Sequence, residues 1–426
     1  MQRHEMIDHA RLVMRDNDRG TYTVPTHGLY PFQWNWDSAL SALGFSHFDE
    51  ARAWQELTTL MAHQWADGMV PHIIFHRPDD GYFPGPEVWG TGHTPPTSGI
   101  TQPAVAGFAV ARIHARAHDK VLADEQARAL LPKIHAWHQW FYRCRDPQGT
   151  GLVAVLHPWE TGRDNSVDWD AAFERVPTEG VAPFTRRDTT HANPAHRPTD
   201  DQYKRYIWLV QTFRALEWDN TKLHDASPFQ MVDPGFNAIL IRSCHDIADL
   251  AERLGLDEIA VQSRDMARRG LDAMETLWND RLGQFACLDR TTGDLLDSPS
   301  IGGILAAFAP IPKARAAALS QRVEVLSHSC KYLVPSHDPT SADFEGLRYW
   351  RGPIWLIVNF MIADGLEQAG ETAMVPRIVG DCLALIEDSG FAEYHDPITA
   401  EPCGGAHFTW TAAMVIELLY AHGLVV

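Results

Sequence analysis

Apolar residues return at three- and four-residue steps along most of this chain. In DEARAWQELTTLMAHQWA (49–66), Ala51, Trp54, Leu57, Leu60, Met61 and Trp65 fall on one face of a helix. QPAVAGFAVARIHARAHDK (102–120) repeats the pattern, with Pro103 suited to a first turn. The same period predicts helices over 122–143, 205–218, 235–254, 257–279, 312–325, 354–370, 373–388 and 408–422. Strand-like alternation is sparse; GLVAVLHPW (151–159) and FACLDR (285–290) are its best short cases. Long stretches at 19–36, 67–101, 157–204 and 327–353, and a shorter one at 389–407, read as loops rich in Pro, Gly and aromatic residues. Loops of such length in a compact domain usually carry function. No low-complexity segment and no linker rich in Gly, Ser or Pro divides the chain. The expectation is one all-α domain over 1–426 with its loops gathered over one end. Two or more helical domains are the alternative, and they lack a linker.

Composition narrows the function classes. The 426 residues carry a formal charge of −19, from 36 Lys and Arg against 55 Asp and Glu. Nucleic acid is not an expected partner, because a phosphate backbone needs a basic stripe. The start, MQRHEMIDHARLVMRDN, is amphipathic and charged, without the basic and apolar regions of a signal peptide. No run of 18 or more apolar residues is present, so no membrane span is expected. The six Cys are scattered and none forms CxxC, which fits free thiols in a reducing cytoplasm. No metal or cofactor is expected either. His114 and His118 stand at i and i+4, and His135 and His138 at i and i+3, but neither pair has an HExxH context.

The unusual residues cluster in the loops. HPWETGRDNSVDWD (157–170) sets Glu160, Asp164, Asp168 and Asp170 among aromatics. Trp159 and Trp169 could make part of a pocket apolar, raising a carboxyl pKa toward what a general acid needs. The plainer reading is a loop whose Asp and Asn residues cap helices or make turns. In GFAEYHDPITAEPCGGAHFTWTAA (390–413), Glu393 could serve as general base on a water, or simply be an exposed loop Glu. FEGLRYWRGPIWLIVNF (344–360) places Tyr349, Trp350 and Arg351 before Gly352-Pro353 and an apolar helix. Such an Arg can grip hydroxyls or carboxylates with its planar fork, or merely anchor a loop. VWGTGHTPPTSGITQPA (88–104) offers Trp89 and Gln102 as contacts. YPFQWNWDSA (30–39) packs Tyr30, Trp34, Trp36 and Asp37 into one stretch. The shared composition, Trp and Tyr mixed with Asp, Glu, Gln, Arg and His, is what a sugar asks for. Its C–H faces pack on rings and its hydroxyls pair with planar polar groups. Two carboxyl groups converging on one bond is the glycosidase arrangement.

YPFQWNWDSA, PWETGRDNS (158–166), YWRGPIWLIVN (349–359) and FAEYHDPITA (391–400) with FTWTA (408–412) occur in this order. Together they resemble glycoside hydrolase family 63, an (α/α)6-barrel group related to trehalases and glucoamylases. The nearest likeness is to short bacterial members that hydrolyse mannosylglycerate or glucosylglycerate. The resemblance implies a single (α/α)6 barrel and exo-acting hydrolysis of a small α-glucoside or α-mannoside with inversion. It places the general acid on Asp164 and the general base on Glu393, with carboxyl groups roughly 6.5–9.5 Å apart to admit a water. It implies no nucleophile and no metal. Tyr30, Trp34, Trp36, Asp37, Gln102, Trp350, Arg351 and Trp410 would line the sugar subsite, with Tyr30 and Trp36 on the ring and Asp37 on hydroxyls. Arg197 and Tyr203 of HRPTDDQYKRYIW (196–208), with Tyr349, would take an aglycone carboxylate such as glycerate; a solvated charged loop is the plainer reading.

Two departures stand out. Many relatives have Met or a similar residue where this chain has Arg163. TAEPCGGAHFTW (399–410) replaces a commoner spacing, leaving the choice of glucose or mannose open near Cys403 to His407. The extra β-domain of larger members is absent, which argues against N-glycan processing. The resemblance leaves three rivals. A sugar epimerase on the same barrel would need a His pair flanking the anomeric carbon. A non-catalytic sugar-binding protein would have no reason to keep both carboxylates. A hydrolase of short α-gluco-disaccharides would share the site. A homo-oligomer is compatible with everything above.

Overall fold

A computed structural model describes residues 2–425 of the chain. Its helices form two concentric rings. The inner ring holds Asn35–Phe45, Ala106–Arg116, Pro234–Arg253, Ile301–Leu305 with the 3-10 turn Ala306–Phe308, Leu356–Gln368 and Thr409–Ala421. Each packs on the next in that order, and Thr409–Ala421 closes the ring on Asn35–Phe45. The outer ring holds Arg3–Asp16, Glu50–Ala62, Lys120–Arg145, Asp257–Met274, Lys313–Leu326 and Val375–Ser389. The Glu50–Ala62 helix packs on Asn35–Phe45, Asp257–Met274 on Pro234–Arg253, and Val375–Ser389 on Leu356–Gln368. The architecture is an (α/α)6 barrel.

Burial explains which helices the apolar period reveals. Outer helices have one wet face, so their apolar residues form a stripe. Val375–Ser389, for instance, buries Val375, Ile378, Val379, Cys382, Leu383, Leu385 and Ile386. An inner helix that is buried on every side needs no stripe. Every residue of NWDSALSALGF, Asn35–Phe45, is buried. That segment carries no amphipathic period and is absent from the predicted helices, as is the short Ile301–Leu305. Arg3–Asp16 is a helix where the sequence shows only an amphipathic, charged start. Two boundaries also differ. The helix expected from 102 begins at Ala106. The one expected from 205 begins at Asp200, where Thr199 and Gln202 form a capping box. Of the strand candidates, 151–159 contributes only the bridge from Val155 to Met231, whereas Leu288–Asp289 pairs antiparallel with Met231–Val232.

Two-residue strand pairs pin the loops over the ring. Gln33–Trp34 runs antiparallel to Ile73–Ile74, Trp34 facing Ile73. Tyr394–His395 runs antiparallel to Pro402–Cys403, Tyr394 facing Cys403. Toward the C-terminal ends of the inner helices the ring is tied by charge. Glu417 accepts from Arg112 at 2.6 Å and from Arg116 at 2.7 Å. Arg112 also reaches Asp364 at 2.5 Å, and Arg242 lies 3.1 Å from the same carboxylate. Four inner helices meet in that network. No described helix is long and apolar enough to cross a membrane.

Candidate active site

The opposite end is built from the N-terminal turns of the inner helices and the loops that feed them. Trp34 is the N-cap residue of Asn35–Phe45, and Trp36 and Asp37 lie in its first turn. Gln102 precedes Ala106–Arg116, and its Oε1 accepts the Trp36 N–H at 3.3 Å. Phe408 and Trp410 begin Thr409–Ala421. These residues line a cavity of ≈ 750 Å³, its open mouth included, together with Asp164 and Glu393. Helix N-termini carry partial positive charge, which favours carboxylates gathered there.

Asp164 sits between the 3-10 turns Pro158–Thr161 and Val167–Trp169. Gly162 lets the chain turn there with φ +73°, and a Cβ on it would stand 2.6 Å from the Trp36 ring. Enclosure raises the Asp164 carboxyl to about 8; Arg197 pulls it down and the Glu393 charge pushes it up. Among the described residues no other side chain hydrogen-bonds to the Asp164 carboxyl. It is therefore protonated at neutral pH, the state a general acid requires.

Glu393 has a different setting. It is 1% exposed. Its Oε1 accepts from the Tyr30 hydroxyl at 3.1 Å and its Oε2 from the Gly405 N–H at 3.0 Å. Burial raises its carboxyl above the usual range, and Arg197 and these donors limit that rise. Donors aimed at the ionised form favour that form. Gly404, at φ +73°, makes the approach possible: a Cβ there would lie 2.2 Å from Glu393 Oε2. Asp37 is 4% exposed. Burial first, then the Glu393 charge, push its carboxyl well above the usual range. One protonated carboxyl and one donor-rich carboxylate across a single cavity is the pairing that acid–base cleavage uses.

A buried cation lines the cavity. Arg197 is 5% exposed. Its Nη2 donates to the Tyr30 hydroxyl at 3.0 Å and its Nε to Asp188 Oδ2 at 3.3 Å. The guanidinium lies 4.1 Å over the Tyr349 ring. Asp188 also accepts from Arg186 at 2.7 Å, and Arg186 covers the Tyr203 ring at 4.1 Å. Arg197 Nη1 is buried without a protein partner, and a buried donor left open invites a ligand oxygen.

The structure brings Tyr30, Trp34, Trp36, Asp37, Gln102, Asp164, Arg197, Tyr203, Tyr349, Glu393 and Trp410 to the cavity wall. It does not bring Trp89, Trp350, Arg351 or His407 there. Trp89 is buried behind the wall, its Nε1 donating to the Pro84 carbonyl at 3.1 Å. Trp350 stacks on Trp355 with centroids 3.9 Å apart, and its backbone N–H donates to Asn165 Oδ1 at 3.0 Å. Arg351 bonds Asp170 at 2.9 Å and Glu345 at 2.7 Å, anchoring a loop. His407 points outward and offers only its carbonyl, to Asn17 at 2.8 Å. Residues the sequence left unremarked also line the wall: His72, Tyr82 and Asp188. Each is a lone residue in a loop or at a helix start, with no pattern around it. No cluster of His, Cys, Asp or Glu among the described residues is arranged to hold a metal.

Comparison with known proteins gives these features a family. The model of the mannosylglycerate hydrolase MGH1-like glycoside hydrolase domain matches residues 30–411. Mannosylglycerate hydrolase MGH1 of Selaginella moellendorffii is 44% identical over 418 residues, 98% of this chain and 86% of the relative. The mannosylglycerate hydrolase of Thermus thermophilus is 45% identical over 408 residues, 95% and 98% of the two chains. The glucosylglycerate hydrolase of Mycolicibacterium hassiacum is 34% identical over 448 residues, 97% and 98% of the two. A crystal structure of the family 63 mannosylglycerate hydrolase from Thermus thermophilus, in complex with Tris and D-glycerate, superposes with a TM-score of 0.94 at 45% identity, covering 96% of this chain and 99% of that one. A family model that spans most of the chain and relatives alike along nearly all of it agree with the barrel: the chain belongs to the MGH1-like glycoside hydrolases.

Proposed function

We propose that this enzyme hydrolyses mannosylglycerate with inversion at the anomeric carbon, and that the whole chain acts as one catalytic domain. The observation that carries the reading is the pairing of a protonated Asp164 and a donor-rich Glu393 on the wall of one cavity, beside the buried Arg197 with its open Nη1. Asp164 gives its proton to the glycosidic oxygen as the C–O bond breaks. Glu393 takes a proton from a water that attacks the opposite face of the sugar. Glycerate leaves as the alcohol, and the α-linked sugar is released as the β-anomer. Asp37 and Gln102 hold sugar hydroxyls, and Trp34, Trp36 and Trp410 pack on the ring. Arg197 takes the glycerate carboxylate, with Tyr203 and Tyr349 beside it.

Glucosylglycerate is the second reading, favoured by the glucosylglycerate hydrolase among the relatives. An epimerase is disfavoured because His72 is the sole histidine on the described cavity wall. The six free, buried thiols suit a cytoplasmic enzyme. The test is proton NMR of the product anomer with mannosylglycerate, glucosylglycerate and α-gluco-disaccharides as substrates. Immediate release of β-mannose supports the proposal. Release of the α-anomer, or isomerisation of free sugar without hydrolysis, would sink it. Faster turnover of glucosylglycerate would select the second reading.

A further inference from the structure

Arg163 directly precedes the proposed acid, yet its side chain points into the barrel frame. It is 2% exposed. Its Nη1 donates to Asp168 Oδ2 at 2.9 Å and to Ser166 Oγ at 3.0 Å. Its Nε donates to Asp233 Oδ2 at 3.2 Å, and its Nη2 stands 3.0 Å from the same oxygen. The guanidinium lies 4.8 Å from the Trp169 ring centroid, and Trp169 Nε1 donates back to the Arg163 carbonyl at 2.6 Å.

Both carboxylates belong to the frame. Asp233 caps the inner helix Pro234–Arg253, accepting the Gly235 N–H at 2.9 Å. Asp168 accepts from Ser300 Oγ at 2.5 Å, and Ser300 is the N-cap residue of Ile301–Leu305. Room for the guanidinium is kept by Gly302, where a Cβ would stand 2.4 Å from Arg163 Nη2. On its other side the acid's backbone is held by Tyr206, whose hydroxyl donates to the Asp164 carbonyl at 2.8 Å. One planar group thus spans two carboxylates and rests on a ring, a geometry that a single ammonium cannot reproduce.

We propose that Arg163 is a positioning residue for the acid. By riveting the 163–168 turn to two inner helices, it fixes the place from which the Asp164 carboxyl meets the glycosidic oxygen. The inference rests on the reading of Asp164 as general acid. Arg163 does not act by tuning that acid's charge, because its own charge is matched by Asp168 and Asp233; the charges acting on Asp164 are those of Arg197 and Glu393.

A leaving group that needs no proton separates this role from a general structural one. In hydrolysis of α-mannosyl fluoride the C–F bond breaks and fluoride departs unprotonated, while water, deprotonated by Glu393, supplies the new C–O bond. Arg163→Lys is expected to lower kcat on mannosylglycerate by roughly 10- to 100-fold, the loss typical of a displaced catalytic group. KM and kcat on the fluoride should stay within about threefold, since general acid help is not needed there. Ser300→Ala, a milder change that removes one donor from Asp168, should shift the two substrates in the same selective way by a few fold, roughly. If Arg163→Lys is not recovered folded, Ser300→Ala decides.

Asp164→Asn calibrates the assay. Its loss must be far larger on the glycoside than on the fluoride; equal losses would sink the acid assignment and this inference with it. With that control in place, equal losses on both substrates in the decisive variant, or no loss on either, would overturn the positioning role alone.

Discussion

The Tyr30 hydroxyl donates to Glu393 Oε1 at 3.1 Å while accepting from Arg197 Nη2 at 3.0 Å. One phenol therefore links the proposed base to the buried cation. Tyr30→Phe removes a donor from the ionised carboxylate, so the Glu393 pKa should rise. The acid limb of the kcat/KM profile is expected to move to higher pH, with kcat at neutral pH down by roughly tenfold or more. An unmoved acid limb would show that the hydroxyl does not tune the base.

The Asp164 carboxyl, raised to about 8, sets the other limb. Activity should fall as pH climbs through that value, because the acid loses its proton. The same shift has a stability cost. Between the ordinary carboxyl value of 3.8 and about 8 the folded chain holds a proton that the unfolded chain has released. Stability from this group is therefore complete below the ordinary value and lost as pH rises toward 8. Asp164→Asn should abolish most activity yet raise the melting temperature at pH 8, with little change at pH 4. Melting curves at both pH values check it.

Arg197 is expected to select for an anionic aglycone. Arg197→Met should raise KM for mannosylglycerate by roughly a hundredfold or more, as loss of one partner of a buried charged pair does. KM for methyl α-mannoside, which has no carboxylate, should change far less. Equal changes in the two KM values would count against the carboxylate contact.

At the far end of the ring, Glu417 is 1% exposed and paired with Arg112 and Arg116. Against the cost of burial, its hydrogen bond with His47 at 2.7 Å and then these pairs hold its carboxyl well below the usual range. Its contribution is present above the ordinary carboxyl value and lost as pH falls below it. Glu417→Gln should destabilise the fold by about 3 kcal/mol at neutral pH, leaving KM unchanged. Denaturant titration beside a KM measurement checks both halves.

How much of this was legible in the sequence follows from burial. Outer helices such as Glu50–Ala62 and Val375–Ser389 showed themselves because one face is wet. Asn35–Phe45 did not, since a helix buried on every side can be written in Trp, Asn, Asp, Ser, Ala and Gly without a period. The motif around Asp37 was visible as chemistry while the helix that carries it was not. Asp164, Glu393 and the aromatic wall could be located through motif order. Arg351 could not be sorted from them, because its partner Asp170 lies far away in sequence. Trp350 was misplaced for a similar reason: its ring lies on Trp355, so the face offered to a sugar is already taken. His72 and Asp188 left no trace in the pattern, being single polar residues whose role comes only from what the fold sets beside them.

Asp188 holds Arg197 and Arg186 together in the excursion that spans 177–199, outside both rings. The carboxyl pair and the aromatic wall are instead seated on the barrel or pinned to it. The one cation that acts on both carboxyls therefore reaches them from a strap outside the rings, so a change in that strap is felt by acid and base together.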